Sequence, residues 1–487
     1  MKKASEKKKI LIVTCQALPD PQQPATGGSL RAFGLGEALK EKGHTVVYSV
    51  PQISLDTSDK RSEILMQWSH RGTDIHQVIS QVKPDVIFFG NWGLLLHTES
   101  CNVPVIVDIN GSLILENHFR NRGWPIIDDA QSKIQALVKA DLIVAGSKRQ
   151  KAYLFAWCLL AGIDPAKINI EVVPFSLSPE IPEPLTPNET EFIIAGYNWP
   201  WLNGQDAIET VDRELQAMEC GQLHIYTQNP PYVDTIPGEN SVYDSTGCMQ
   251  IENLARVQIH NAISFEELAL RMSTSSVALD VWHKNPEREL SYPSRTVAYL
   301  WCGLPVIVSA YSEIAELVDR YQAGWVVDHD DRESLCRIVR DIVTKRLDLS
   351  EYRRNARKLA SEQLTWDKTI EPVHRFCCQP VINRVSFPLF ASRIALQKEL
   401  EESRRTSEKM IEEISQGYKK RAELEKEVRF LKISCRSRAG IERFTSFRLF
   451  GIKLDRFFIG APVLAYLFLL VSLGRLLQNI WMRWRQQ

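Results

Sequence analysis

The sequence has no net charge, and this limits the partners that it can have. Its 487 residues contain 59 Lys and Arg against 59 Asp and Glu. The balance is uneven, because residues 434–487 carry a net charge of +7 and the preceding 433 residues carry −7. Nucleic-acid binding normally requires basic charge on the main domain, so a nucleic acid is a disfavoured partner. A basic tail instead favours contact with a membrane surface.

The sequence also lacks metal-type cysteine spacings and a secretory signal. Its ten cysteines are scattered without a C-x-x-C pair, which disfavours zinc and redox sites. The apolar run Ile10–Val13, behind five lysines, is too short for the core of a signal peptide. We therefore expect a protein of the reducing cytoplasm, without a signal peptide.

A dinucleotide-binding turn is missing as well. A Rossmann unit for NAD needs a tight glycine turn directly after its first strand, whereas about twelve residues precede Gly27 and Gly28 here. Gly34 and Gly36 lie inside the following helix, where close helix–sheet packing explains them better. We therefore predict no such cofactor. Gly27 and Gly28 stand just before a helix N-terminus, which favours an anionic ligand, and a flexible loop is the alternative.

The chain does contain a repeated alternation of short apolar runs and helical patterns. Runs rich in Val and Ile predict strands of parallel sheets that are covered on both faces. Six such strands precede the proline-rich segment Ser176–Pro187 and six follow it. That segment is typical of an interdomain linker. We predict two Rossmann-like α/β domains, 1–180 and 188–376, that face each other across a cleft at the carboxyl ends of their strands.

Residues 393–433 change character and predict a charged helix with an interrupted heptad seam. Seven of its eleven seam positions are apolar. A short coiled coil that joins copies of the chain and a solvated helical stalk both fit this pattern. The seam positions are 396, 400, 403, 407, 410, 414, 417, 421, 424, 428 and 431.

The tail, residues 434–487, contains an uncharged apolar run at 457–474. Eighteen residues are marginal for a spanning helix, which needs about 20. Basic residues and tryptophans flank the run, which suits a short span or a helix in the headgroup layer. We predict membrane association through 434–487 and a location at the cytoplasmic face of the cell membrane.

The most specific segment is Glu287–Glu316, ERELSYPSRTVAYLWCGLPVIVSAYSEIAE. Within it, AYLWCGLPVIVS resembles the E-A-M-A-C-G-x-P-V-I run of glycosyltransferase family 4. YPSRTVAYL resembles a variant found among bacterial surface-polysaccharide transferases. Four further segments, GGSLRAFGLGEALKEKGHTVVYS, IVDINGSLILE, EFIIAGYNWPWLNG and TWDKTIEPVHRF, resemble parts of the family in the same order. Over residues 9–376 the chain is thus similar to a GT-B glycosyltransferase.

The resemblance implies a function and its substrates. The first domain would serve the acceptor and the second a nucleotide-diphosphate sugar, with no other cofactor. The sugar would pass to a glycan or lipid-linked acceptor in bacterial cell-surface polysaccharide synthesis, with retention of anomeric configuration. Charge develops on the departing diphosphate, and guanidinium groups and helix N-termini can stabilise it. The predicted donor-binding residues are Gly27, Gly28, Trp199, Trp201, Asn203, Arg288, Glu289, Ser294, Arg295 and Thr296.

Two carboxylates are candidates for acid or base chemistry. Asp108 and Glu116 come from the end of the fourth predicted strand and the segment after it, at the cleft edge of the sheet. A helix cap is an equally good reading of Asp108. The run Val327–Asp331 superficially resembles a D-x-D metal site, but helix N-capping explains it better. We therefore predict no obligatory metal.

Three positions depart from the family pattern. Ala298 stands where the family uses a glutamate on the donor ribose, and Leu290 stands where the first glutamate of the paired motif would fall, with Glu289 and Glu287 nearby. Asn203-Gly204 replaces a lysine at the start of the second domain. These departures keep an alternative open, a non-catalytic GT-B-like subunit that scaffolds a glycan-synthesis complex at the membrane. A nucleotide-sugar epimerase on the same architecture is a further alternative.

Overall fold

The computed structural model describes residues 7–20, 22–54, 68–71, 74–96, 98, 102–120, 126–183, 185, 189–228, 254–384 and 389–437. The chain divides into two compact units, Met1–Glu399 and Leu400–Gln487. The predicted membrane-associated tail lies outside the described residues from position 438 onward. No helix of the described part combines the length and the apolarity needed to cross a membrane.

A sheet of seven parallel strands forms the first domain, in the order β3-β2-β1-β4-β5-β6-β7. The central strands are buried at almost every position because helices cover both faces, which explains their continuous Val and Ile runs. The strand order reverses between β1 and β4, where open α/β sheets bind ligands at their carboxyl edge. The strands are β1 Lys9–Val13, β2 Thr45–Pro51, β3 Ser69–His70, β4 Val86–Phe89, β5 Val105–Ile109, β6 Leu142–Ala145 and β7 Ile170–Val172.

A second parallel sheet of six strands follows, in the order β10-β9-β8-β11-β12-β13. Its order reverses between β8 and β11, so each sheet has one such switch point. All twelve predicted strands are present, with bounds that differ by up to two residues, and the short edge strand β3 was not predicted. The strands are β8 Glu191–Ala195, β9 Gln222–Tyr226, β10 Val257–His260, β11 Val277–Asp280, β12 Val306–Ser309 and β13 Gly324–Val327.

Helices connect the strands and cover the sheets. In the first domain they are α1 Gly27–Glu41, α2 Ile75–Val82, α3 Trp92–Leu96, α4 Leu113–Phe119, α5 Ile126–Leu137 and α6 Lys148–Leu160. In the second they are α7 Gln205–Ala217, α8 Phe265–Thr274, α9 Pro286–Leu290, α10 Ser294–Trp301, α11 Ala315–Tyr321, α12 Arg332–Val343 and α13 Leu349–Gln363. The remaining helices are α14 Trp366–Thr369, α15 Glu371–Cys378 and α16 Leu389–Ser437.

Helix α1 packs closely because two of its four glycines, Gly34 and Gly36, lie where it contacts its neighbours. A Cβ atom on Gly36 would lie 2.0 Å from Tyr48 Oη and 2.5 Å from Cζ of the same ring, so this glycine lets the helix approach β2. A Cβ on Gly34 would lie 3.0 Å from the Trp366 ring. Helix–sheet packing is therefore confirmed as the reason for Gly36. The helix ends at Glu41, and Gly43 just beyond it has a left-handed φ of 93°.

The segment after α13 returns to the first domain and fixes it to the second. Trp366 N donates to Leu177 O at 2.9 Å, and the Trp366 indole donates to Glu41 of α1 at 3.0 Å. Further along, Arg384 Nε binds the buried Asp141 carboxylate at 3.0 Å, next to β6. The chain thus crosses between the two lobes and holds them together within Met1–Glu399.

We expect Gly36→Ala to destabilise the protein, although alanine favours helix. The added methyl group would overlap the buried Tyr48 ring, and such overpacking costs about 1–3 kcal/mol. The measurement is the thermal unfolding midpoint by circular dichroism. Gly417→Ala is the control for the helix preference of alanine, since a Cβ there meets nothing within 4 Å in the same chain. A Gly36→Ala protein as stable as the control would contradict this packing.

Candidate functional site

The N-termini of two helices, one from each domain, meet in the cleft. Helix α1 begins at Gly27 behind the N-cap Thr26, and α10 begins at Ser294. A Cβ on Gly27 would lie 3.0 Å from Ser294 Oγ. The structure therefore brings together Gly27 and Ser294, which are 267 positions apart in the sequence. Both helix ends direct positive dipole and free N–H groups toward the same place, which suits an anion.

Arg295 lies in this cleft, partly buried, at the first turn of α10. Its guanidinium donates to Tyr197 O at 3.1 Å and stacks on Trp282, 4.9 Å from the ring centroid. Among the described residues, no carboxylate oxygen lies within the 4.0 Å of an ion pair from it. Burial lowers the pKa of Arg295, with smaller opposing effects from Tyr299 and Asp280. This guanidinium thus retains donors for an anionic ligand.

The same turn explains why Thr296 does not serve as predicted. Its side chain is fully buried and its hydroxyl donates to Asp280 at the end of β11. Asp280 also accepts from the Trp282 indole. This network ties α10 to the sheet and orients the Trp282 ring beneath Arg295. Thr296 therefore positions the site and has no hydroxyl to spare for a phosphate.

Glu287 and Arg288 form a second charged group at the cleft, and both are buried. Arg288 Nη1 lies 3.9 Å from Glu287 Oε2. Burial raises the pKa of Glu287 to about 7, against the lowering effect of Arg288, and nearby Glu116 raises it further. Burial alone would lower the pKa of Arg288, but Glu287, Asp280 and Tyr311 outweigh it and raise that pKa. Arg288 is thus a charged donor beside a carboxyl that is largely neutral below pH 7.

Glu289, which is predicted to bind the donor, instead forms an ion pair with Lys284 at 3.0 Å. It is partly exposed. Glu287, two positions earlier in the short helix α9, points inward instead. Sequence comparison with the family motif could not separate these two neighbours, because a 100° turn per residue decides which side chain is buried.

Asp108 is held by a buried arginine that the sequence analysis missed. Arg31 Nε and Nη2 donate to the two Asp108 oxygens at 2.6 and 2.8 Å, and Nη2 also donates to Val173 O. Both side chains are at most 5% exposed. Because both carboxylate oxygens accept from one guanidinium, this geometry argues against Asp108 as a proton acceptor in catalysis and makes it a support for α1.

Glu116, the other predicted carboxylate, lies near the second domain. It belongs to α4 and forms an ion pair with Arg120 at 3.1 Å. It is also near enough to Glu287 of the other domain to raise the pKa of that carboxyl. Glu116 therefore keeps its place as a candidate acid or base.

The two tryptophans of the donor loop pack against each other. Trp199 and Trp201 stack with ring centroids 4.8 Å apart and an angle of 11°. The Arg120 guanidinium of the first domain lies 5.2 Å from each ring. Trp201 is buried, so its ring serves aromatic packing. Trp199 is partly exposed. Arg120 could not be found from a motif.

The structure shows the surroundings of two residues that depart from the family pattern, Ala298 and Asn203. Ala298, at the position of the ribose-binding glutamate, is buried in the apolar core on α10. Asn203 is exposed before α7, and its side chain accepts from Gln205 N at 3.2 Å. Neither residue presents charge to a nucleotide.

A carboxylate of the second domain caps a helix of the first. Glu313 accepts from the backbone N–H groups of Lys148 and Arg149, at 2.8 and 3.0 Å, at the N-terminus of α6. The Arg149 side chain donates in turn to Tyr311 O and Glu289 O. These contacts hold the two domains together at one side of the cleft.

A small cavity opens at the switch point of the first sheet. Its volume is about 40 Å³, enough for water but not for a sugar ring. Asn110 Oδ1 at its edge, Glu287 Oε2 and Arg288 Nε are buried without a hydrogen-bond partner among the described residues. Buried polar atoms are normally paired, so partnerless atoms on both sides of one cleft indicate a polar ligand there.

The predicted capping role of the Asp-rich run is supported. Asp331 accepts from Ser334 N at 2.9 Å at the start of α12.

Elsewhere, His44, His374 and Cys378 approach one another closely enough to bind a metal ion. Lys8 N donates to His44 Nδ1, so the proton of that ring is on Nε2, which is 3.0 Å from His374 Nδ1. A hydrogen bond thus uses the nitrogen that a metal would need.

Comparison with solved structures shows that the chain has the fold of the GT-B glycosyltransferases. A sucrose-phosphate synthase from Thermosynechococcus elongatus aligns over 76% of this chain and 98% of its own, with TM-score 0.56 and 17% identity. HepE from Anabaena, solved with UDP-glucose, aligns over 76% and 98%, with TM-score 0.51 and 13% identity. WaaG, a glycosyltransferase involved in lipopolysaccharide biosynthesis, aligns over 76% and 100%, with TM-score 0.50 and 12% identity. No protein-family model and no curated protein sequence matches the chain.

We expect Asp108→Ala to lower the free energy of unfolding by about 3–5 kcal/mol, because it leaves the Arg31 guanidinium buried and unpaired. Chemical denaturation measures this change. The double variant Arg31→Met with Asp108→Leu removes both charges and should regain most of the loss. Wild-type stability of Asp108→Ala would contradict the supporting role and return Asp108 to the acid–base candidates.

Proposed function

We propose that this protein is a glycosyltransferase that moves a sugar from a nucleoside-diphosphate donor to a glycan or lipid-linked acceptor. The observation that carries the proposal is Arg295, a cleft guanidinium without a carboxylate partner that stands on a helix N-terminus. A cation left unpaired in a partly dehydrated cleft is costly unless an anion binds there. The fold shared with HepE, which was solved with UDP-glucose, supports a nucleotide sugar as that anion.

The geometry supplies what the reaction needs. The bond between the anomeric carbon and the diphosphate oxygen breaks, and its electron pair stays on the diphosphate. Arg295, Arg288 and the N–H groups at Ser294 can stabilise that negative charge. The N-terminus of α1 at Gly27 and Gly28 closes the site from the first domain and adds donors of the same sign. No metal is required to neutralise the leaving group when two guanidinium groups are present.

Glu287 contributes by being neutral. With its pKa raised to about 7, the carboxyl can donate a hydrogen bond to a sugar hydroxyl or a phosphate oxygen. An ionised carboxylate at the same place would repel the diphosphate. The nearby Glu116, paired with Arg120, is the second candidate carboxyl group of the site.

The acceptor and the cellular role follow from the sequence. A basic, apolar tail at 434–487 would hold the cleft close to a bilayer, where lipid-linked acceptors lie. The resemblance of YPSRTVAYL supports a role in bacterial cell-surface polysaccharide synthesis. We place the protein at the cytoplasmic face of the membrane, and we infer retention of anomeric configuration from the same resemblance.

Arg295→Ala should weaken nucleoside-diphosphate binding about 10- to 100-fold, the usual worth of one or two hydrogen bonds to a charged group. Isothermal titration calorimetry with UDP, GDP, dTDP and CDP measures this and also identifies the base. Arg346→Ala is the matched control. That arginine lies beyond the end of α12, is exposed, and pairs with Asp341 of the helix. Its affinity should equal that of the wild type.

The same titration separates the transferase from the scaffold alternative that Ala298 favours. If none of the four nucleotides binds the wild-type protein, the non-catalytic reading is supported and the transferase proposal is wrong. If one binds and Arg295→Ala binds it equally well, the site has been assigned to the wrong cation.

We expect Glu287→Gln to change how nucleotide affinity depends on pH. In the wild type, Glu287 ionises as the pH rises through about 7, so affinity should fall between pH 6 and pH 8. Glutamine keeps the hydrogen-bond donor and cannot ionise, so the variant should lose this part of the decrease. Ionisation of the nucleotide affects both proteins equally and cancels in the ratio of their dissociation constants.

Thermal unfolding without nucleotide provides the control. A raised pKa in the folded state means that the wild type loses stability as the pH rises from about 4.5 to about 7. The midpoint of Glu287→Gln should therefore exceed that of the wild type by more at pH 8 than at pH 5. A constant difference would show that Glu287 is ionised throughout this range.

A further inference from the structure

Helix α16 carries an apolar stripe that no residue of the described part of its unit, 400–437, covers. It runs over 49 residues, Leu389–Ser437. Between positions 400 and 429 every described side chain is exposed except Ser407, which is partly exposed. The apolar seam side chains Leu396, Leu400, Met410, Ile414, Leu424 and Val428 are between 40% and 57% exposed. Ile411 and Tyr418, next to the seam, widen the stripe in the middle.

A helix of this kind gains little stability by itself. Its intrahelical ion pairs, Arg404–Glu408 at 3.4 Å and Arg421–Glu425 at 3.0 Å, contribute only about 0.2–0.5 kcal/mol each. Most helix stability in proteins comes from packing of an apolar face. The seam keeps a 3.5-residue period from 396 to 431, about 54 Å of helix, and such a period matches a second helix in a left-handed coiled coil.

The charges beside the seam select the partner and its direction. With position 400 as a and 403 as d, the g positions are Glu399, Thr406, Glu413, Lys420 and Glu427. In a parallel pair each g residue faces the e residue five positions later on the other helix. This gives three opposite-charge pairs and no like-charge pair. The pairs are Glu399 with Arg404, Lys420 with Glu425 and Glu427 with Lys432.

In an antiparallel pair, the g residues of one helix would face the g residues of the other. Centred on the seam, it would bring Glu399 against Glu427 at both ends and Glu413 against its own copy. Like charges at such positions oppose pairing. The chain therefore favours the parallel arrangement with an identical sequence, and Arg421 at a fixes the register at some cost in stability.

We propose that α16 forms a parallel, in-register, two-stranded coiled coil with α16 of a second copy of this chain. The proposal is independent of the glycosyltransferase function, because it depends only on the residues of this helix. The two helices would then run in the same direction and join two copies of the chain.

The test measures the mass of the full chain in a mild detergent by size-exclusion chromatography with light scattering. We expect twice the 55.6 kDa of one chain. Ile414→Asp with Leu424→Asp, at a and d, should shift the mass to that of one chain. Ser415→Asp with Ala422→Asp is the matched control, since both lie at b positions of the same helix, and it should remain a dimer. A monomeric wild type, or a dimer that survives the seam substitutions, would overturn the proposal.

The native Cys435, at the next a position, reports the direction of the two helices. In a parallel in-register pair the two copies of this residue are neighbours. Diamide, which takes up the two thiol hydrogens and is reduced to the hydrazine, should then give a covalent dimer on a non-reducing gel. Cys435→Ser should abolish that band while the other nine cysteines remain. A dimeric protein without a Cys435-dependent band would rule out the parallel register.

Discussion

The constraint on which the cleft depends is the cost of placing guanidinium groups away from water. Two arginines near the switch points, the buried Arg31 and the partly buried Arg295, have different partners. Arg31 receives both oxygens of Asp108 and so becomes part of the framework. Arg295 receives only a backbone carbonyl and an aromatic face. Burial disfavours the charged form of a guanidinium until an anion binds to it. The helix N-terminus at the same point adds positive potential that favours such an anion. An arginine held in this way is prepared for a ligand.

The fold creates this situation by placing two switch points opposite each other. Each sheet alone would leave its carboxyl edge in water, where the charges would be screened. The capping of α6 by Glu313 and the return of the chain through Trp366 keep the second edge close. Charge and closure are therefore linked, because the interdomain contacts lower the dielectric around Arg295. A change that opened the cleft would weaken the site without touching any donor-binding residue.

The sequence predicts the framework better than the site. The strands can be predicted because burial on both faces requires continuous runs of Val and Ile. The end of α1 can be recognised because Gly43 adopts a left-handed φ that glycine takes most easily. The partner of Asp108 was not predictable, because Arg31 lies 77 positions away and the pairing exists only after folding. The choice between Glu287 and Glu289 was equally hidden, since it depends on the rotation of a single helical turn. Motif spacing locates a site to within a turn, and packing decides which residues face it.

Ala298 shows where the affinity of the proposed site must come from. A glutamate at that position would bind the ribose, but here the position belongs to the apolar core and Glu289 pairs with Lys284. The polar groups that remain in the cleft, Arg295, Arg288 and the helix N-termini, all suit phosphate oxygens. Binding would therefore depend on the diphosphate more than on the nucleoside. With these groups alone, the site would bind the ribose of the ground-state donor weakly. The contacts to the diphosphate would strengthen as negative charge develops on the leaving group, and contacts of that kind accelerate a transfer reaction.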